Sequence, residues 1–255
     1  MQLIMSQRFF ITQPPQNGIA TLLDQEAHHL SHVMRAKVGE QVTLFDGSGI
    51  EYVAKVAKLG RHDVQLAVLS SQAVDRELAS PLLLGVALPR GERQGWLVEK
   101  AVELGVSELV PVETERGVAQ PTDKALERLR RAVVEAAKQC GRNRLMTVTE
   151  AKPWREFIAT ASTAATRVLA HPYPPATSAN DWAQLNAAGH YLAVGPEGGL
   201  TDQEVELASG AGWQLIALGK RILRVETAAI ALAAVVGMGR SGARGTARDG
   251  DVNDS

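Results

Sequence analysis

Cysteine is nearly absent from this sequence, aromatic residues make up 4% of it, neither sign of charge dominates, and no long apolar run interrupts it. Each scarcity excludes a class of protein. A single cysteine, Cys140, leaves no disulfide framework and no thiolate zinc cluster, which fits a reducing compartment, the cytoplasm. The longest uncharged apolar stretch, 228–238, is too short to span a bilayer. Nothing before Phe9 reads as a cationic segment leading into an apolar one, so neither a membrane association nor a signal peptide is expected. With 27 basic against 28 acidic residues, the formal net charge of −1 speaks at face value against a nucleic-acid partner.

What is present divides near residue 72. The 255 residues, 45% apolar, suffice for one large domain or for two unequal ones. Residues 1–72 read as a small β-barrel, with strand-like runs at 8–12, 41–45, 51–57 and 64–69. Turns at Pro14-Pro15, Asn17-Gly18, 46–49 and Gly60 separate them. A helix is expected over 24–35, capped by Asp24, with Leu30, Val33 and Met34 as its apolar stripe. A polar linker spans 73–80. From 81 to 238, strand-like runs at 82–88, 109–112, 145–148, 167–170, 191–194 and 214–218 alternate with helical patterns at 94–104, 123–140, 154–160, 202–208 and 225–236. That rhythm predicts an α/β domain with a mainly parallel sheet covered on both faces. Residues 239–255, rich in Gly, Arg, Asp and Ser, read as a disordered tail.

Several motifs carry chemistry in one reading and packing in another. Residues 237–242 satisfy the dinucleotide pattern G-x-G-x-x-G, yet they follow a helix, whereas the phosphate turn must follow a strand and open a helix. His28 and His32 share one helix face with His29 beside them, but no third metal ligand is nearby, so packing or RNA contact accounts for them better. The helix at 123–140 shows a buried stripe of Leu126, Leu129, Val133, Ala136 and Cys140, and a basic one of Lys124, Arg128, Arg131, Lys138 and Arg142. Residues 124–144 hold seven basic and two acidic side chains, a local +5 that the chain's overall balance conceals. The stripe is either a solvated face or a phosphate-binding surface.

The densest text is C-terminal. Residues 191–204 give a strand, the glycine-rich loop Gly195-Pro196-Glu197-Gly198-Gly199, and a helix capped near Thr201; residues 218–228 give a second loop with Arg221, Arg224 and Glu226, and Thr227 as cap. Glycines admit a ligand close to the backbone, helix N-termini favour anions, and open parallel sheets bind ligands at strand ends.

GPEGG followed by LGKRILRVETA resembles the SPOUT class of knotted RNA methyltransferases, and more narrowly the 16S ribosomal RNA (uracil-1498-N3)-methyltransferase family. Residues 8–10, 28–35, 44–47, 90–92, 100–106, 139–144 and His171-Pro172 extend the likeness over about 8–238; Gly95, Lys138 and Met146 depart from the pattern. The resemblance implies a PUA-like barrel joined to a domain with a deep trefoil knot, homodimerisation, and S-adenosylmethionine as methyl donor for N3 of a uridine in 16S rRNA, within the small ribosomal subunit. By position it implies a cofactor pocket of His171, Pro172, Val194, Gly195, Pro196, Gly198, Gly199, Leu218, Gly219, Arg221, Ile222, Leu223, Thr227 and Ala228.

Uracil N3 lies on the Watson–Crick edge and bears a proton, so the reaction needs an unpaired base, a proton acceptor and cations for the resulting anion. Glu226 or Glu197 is the candidate acceptor, with Arg224 and Arg142 as stabilisers; each carboxylate is equally explained by an ion pair that orients the cofactor loop. RNA contacts are expected from Arg8, Arg35 and Lys37 on the barrel, and from Arg90, Arg93, Arg128, Arg131 and Arg142 beyond it. Two alternatives remain at this point: methylation of another RNA, such as a transfer-RNA ribose, or a noncatalytic RNA-binding assembly protein.

Overall fold

Several strands in the first seventy residues bury alternate side chains, and one sheet collects the buried sides. A computed structural model of the chain describes residues 7–118, 120–173 and 189–238. The first sheet orders β1 (Arg8–Phe10), β3 (Gln41–Phe45), β4 (Ile50–Leu59), β5 (Asp63–Ala73) and β2 (Ile19–Leu23) as β1-β3-β4-β5-β2, antiparallel except for the parallel β1/β3 pair. Tyr52, Ala54 and Val56 on β4 and Val64 and Leu66 on β5 face inward. Register shifts at Val53/Ala54 and Val56/Lys58 bend β4 and curl the sheet. The pairing leaves β1 and β2 as edges, so the barrel is a curled half-barrel. β2 had no counterpart in the sequence reading, although its alternation, Ala20 and Leu22 in and Ile19, Thr21 and Leu23 out, is regular.

The helix expected over 24–35 is shorter and differently capped. α1 (Asp24–His28) starts after Leu23 with no side-chain cap, and Asp24 itself has a left-handed φ of 47°. A wide π-type turn, His29–Val33, follows. One extra residue in that turn rotates the chain past the expected stripe. Leu30 is buried, while Val33 and Met34 face solvent.

The second sheet is wholly parallel: β6 (Leu82–Val86), β7 (Glu108–Glu113), β8 (Thr147–Val148), β10 (Thr166–Ala170), β11 (His190–Val194) and β12 (Gln214–Ile216), ordered β12-β10-β11-β6-β7-β8, with β9 (Lys152–Pro153) also paired to β7. Neighbouring side chains enter different cores. Leu109, Val168, Leu192 and Val194 join a cluster under α2 (Arg93–Glu103), α3 (Asp123–Cys140) and α6 (Val225–Met238). Val110, Leu169 and Ala193 join Trp154, Phe157 and Trp213 beneath α4 (Trp154–Thr160) and α5 (Asp202–Gly210). Both faces are thus dry, as a parallel sheet requires. Gly85 lets this second core close: a Cβ there would stand 2.2 Å from the Phe157 ring.

α3 begins where Thr122 accepts from Ala125 N and ends at left-handed Gly141. Its buried stripe is Leu126, Leu129, Val133, Ala136 and Ala137; Cys140, assigned to that stripe, is exposed. The helix also meets the half-barrel. Lys138 pairs with Glu26 at 2.6 Å, Arg8 with Glu51 at 2.7 Å and with Asn143, and Phe10 and Phe45 reach the larger core. Burial resists ionisation of Glu51, but hydrogen bonds from Arg8, Arg76 and Asn143 outweigh it and hold the carboxyl below its ordinary value. Tyr52 beside this junction is pushed up to about 12 by burial and by its hydrogen bond to Asp46.

The tail expected at 239–255 lies outside the described residues, as does the end of the 237–242 pattern, whose first residues belong to α6. Among the described residues no helix is long and apolar enough to cross a membrane.

Candidate active site

In a parallel sheet every strand points its C-terminal end the same way, so the loops after β6, β10, β11 and β12 meet at one edge. Residues 171–173, 195–200 and the loop 218–223 there enclose a cleft of about 460 Å³, within the ~300–1,000 Å³ usual for small-molecule sites. Its wall includes Val194, Leu218, Leu223, Val225 and Ala228 as apolar surface. Around these stand His171, Pro172, Gly195, Pro196, Gly198, Gly199, Gly219, Arg221 and Ile222.

The glycine-rich loop is tight because it turns back on its own helix. A Cβ on Gly195 would come 2.8 Å from Leu200 Cγ, and Gly199 has a φ of +73° with its N–H donating to Pro196 O. α5 then starts with a full capping box, Thr201 Oγ1 accepting from Glu204 N and Glu204 Oε2 accepting from Thr201 N at 2.8 Å. The other Glu204 oxygen accepts from Glu115 N at 2.8 Å, and Arg116 donates to Gly198 O at 3.3 Å, so the loop after β7 braces the loop after β11.

Of the fourteen residues expected to form the pocket, Thr227 alone is missing from the wall; α6 begins at Val225, which puts Thr227 inside the first turn as an exposed helical residue instead of a cap. Sequence reading missed Ala170, Tyr173, Leu200, Asp202 and Val225, all wall residues. Four of the five adjoin an expected residue or the helix cap, and the strand-end rule could have included them. Tyr173 N donates to His171 Nδ1 at 3.3 Å, which fixes that corner.

At the edge of the cleft where Glu197 stands, one guanidinium joins that wall residue to Glu226, which itself lies outside the wall. Arg93 Nη2 lies 3.1 Å from Glu197 Oε1, and Arg93 Nη1 lies 3.5 Å from Glu226 Oε2. The Glu226 side chain is only 7% exposed, that of Glu197 33%. Arg93, read as an RNA contact, is thereby a member of this site. Arg224 is exposed at the start of α6, with no ion pair among the described residues. Arg142, read as an anion stabiliser, is elsewhere. It is 4% exposed, the Nε/Nη2 edge of its guanidinium is taken by Glu77, and Nη1 donates to Val102 O and Val106 O. Val102 sits near the far end of the eleven-residue α2 from Arg93, about 14 Å away by helical rise, and Val106 follows the helix.

The expected RNA surface divides in the same way. Arg8 is spent on Glu51, Asn143 and the Phe45 face, and Arg128 donates to Gln94 Oε1 at 3.1 Å. Arg35, Lys37, Arg90 and Arg131 are exposed and carry no ion pair among the described residues. His28 and His32 stack at 4.7 Å, and among the described residues no group of three or more side chains is arranged to hold a metal.

Comparison with known proteins agrees with this geometry. Residues 76–237 match the model of an RNA methyltransferase domain, and residues 22–69 that of an RNA methyltransferase PUA domain. The chain is similar to ribosomal RNA small subunit methyltransferase E of Synechocystis sp., 35% identical over 219 residues, covering 84% of this chain and 72% of that protein. It is similar also to the Mycobacterium bovis protein of the same name, 32% identical over 240 residues, covering 89% and 90%. A crystal structure of ribosomal RNA small subunit methyltransferase E from Neisseria gonorrhoeae bound to S-adenosyl methionine superposes with a TM-score of 0.81 at 33% identity, covering 91% of this chain and 96% of that one.

Proposed function

The chain belongs to the ribosomal RNA small subunit methyltransferase E family, and from that membership we propose that it methylates N3 of a specific uridine in 16S rRNA with S-adenosylmethionine as donor. One observation carries the proposal: the GPEGG and RILRVET loops converge on a single cleft, with two carboxylates on one arginine at its edge.

The cleft fits the donor in size and chemistry, with an apolar wall for an adenosine and glycine backbone that admits close approach. Bound there, S-adenosylmethionine supplies an electrophilic methyl group. The residues of this chain do the rest. The pocket wall orients the donor, and most of the rate gain is orientation. Glu226 or Glu197 takes the N3 proton, and exposed Arg224 faces the negative charge that the base acquires. Residues 1–72 serve as the RNA-binding domain and 73–80 as the linker to the methyltransferase domain, 81–238. Arg35, Lys37, Arg90 and Arg131 hold phosphates of the small subunit, the enzyme acts as a homodimer, and its compartment is the cytoplasm. The threaded knot of the family would involve the loops at 195–199 and 217–224.

The test is mass mapping of 16S rRNA after undermethylated small subunits are incubated with the protein and labelled donor. One 3-methyluridine is expected; label on a ribose, or in transfer RNA only, would overturn the assignment.

A further inference from the structure

Neither carboxylate at the cleft edge is positioned by its own segment alone. Glu226 is the second residue of α6 and nearly dry, and a buried carboxylate is costly unless a cation or several donors face it. Among the described residues, the cation that faces it is Arg93, at 3.5 Å. The same guanidinium holds Glu197 at 3.1 Å, so one side chain at the start of α2 sets the spacing between the loop after β11 and the first turn of α6.

The turn that carries Arg93 is itself braced. Gly91 takes a φ of +69°, which turns the chain into α2. Gln94 Nε2 donates to Pro89 O at 2.8 Å, and Arg128 of α3 donates to Gln94 Oε1 at 3.1 Å. Arg128 therefore steadies the turn from behind. An exposed surface ion pair needs no such support, and one on its own contributes only about 0–1 kcal/mol.

We propose that Arg93 is a positioning residue of the methyl-transfer site, holding Glu197 and Glu226 at a fixed separation so that a carboxylate meets the target base in the geometry that proton removal requires. The proposal rests on the methyl-transfer reading. Arginine suits the role because its planar fork presents one Nη to each carboxylate, whereas lysine would supply charge without that geometry. A phosphate contact, the role suggested by sequence, would compete with these pairs, since each Nη already donates to a carboxylate.

The experiment compares wild type, Arg93→Ala and Arg93→Lys as full-length proteins acting on undermethylated small subunits, with donor binding measured separately by calorimetry. Arg93→Ala is expected to lower kcat about 100-fold, the scale of a small misplacement of reacting groups, while KM for the subunit and Kd for the donor move less than about threefold. Arg93→Lys is expected to recover part of that loss. If the alanine variant does not fold, Arg93→Gln replaces it, keeping the stem and a donor without the charge, with the same expectation. A raised KM at unchanged kcat, with the salt dependence of RNA affinity reduced by about one phosphate, would make Arg93 an RNA contact and overturn the proposal. Wild-type kcat in the alanine or glutamine variant would overturn it as well. The two failures are separate: an inactive wild type defeats the methyl-transfer reading, and an active Arg93→Ala defeats this one.

Discussion

Two clusters of arginine and glutamate in this molecule look alike in sequence and differ in what they leave unsatisfied. At the junction between the half-barrel and the larger domain, Glu51 receives Arg8, Arg76 and Asn143, and Arg142 is enclosed by Glu77 and two carbonyls. At the strand-end cleft, a single guanidinium serves two carboxylates beside an open cavity, and Arg224 waits exposed. The junction spends its charges on itself, as an ion pair that stabilises a structure must. The cleft keeps hydrogen-bonding capacity in reserve, as a site that acts on something else must.

That contrast can be broken by exchanging the consequences of mutation. Glu226→Gln removes a candidate proton acceptor without altering shape. Turnover is expected to fall about 10²–10⁴-fold, with donor binding and thermal unfolding close to wild type. Single-turnover methylation and calorimetry check it, and wild-type turnover removes Glu226 from the mechanism. Arg142→Ala should show the reverse: a loss of about 3 kcal/mol in urea unfolding, because Glu77 is left partly buried without its partner, and near-normal activity per folded molecule.

A smaller effect separates the regions by pH. The folded-state pKa of Glu51 lies below its ordinary value of 4.5, so its contribution to stability is fully present above that value and is lost as pH falls through the lower, folded one. The difference in urea midpoint between wild type and Glu51→Gln should therefore shrink as pH falls from about 5 to about 3. A constant difference would mean that the carboxylate charge does not hold the junction. The smallest effect belongs to the open surface. Replacing Arg35 and Lys37 together with alanine should reduce the salt slope of subunit binding by about 1–2, with kcat unchanged.

The same contrast explains what was legible in the sequence. Backbone pattern was: α3 and α4 fall on the expected residues, α3 because stripe, cap and terminal glycine are local signals. The cleft wall was legible too, since consecutive loop residues sit where parallel strands end. Ion-pair partners were not. Arg93, Arg142 and Arg8 each present only a positive charge in the sequence, while their partners lie 43 to 133 residues away. Periodicity reports which face a residue occupies, and it is silent about what faces it from another element. β2 also escaped notice, although its alternation is regular; its partner strand β5 begins forty residues later. Likewise, Asp24 and Thr227 were good caps by residue type that the tertiary packing placed inside helices.

The most direct test of the central claim is a crystal structure of this protein soaked with S-adenosylmethionine. The donor is expected in the strand-end cleft, against Gly195, Leu218 and Leu223, with its methyl group directed toward the edge where Glu197, Glu226 and Arg93 meet. Donor density anywhere else, or a methyl group turned away from those carboxylates, would contradict the account.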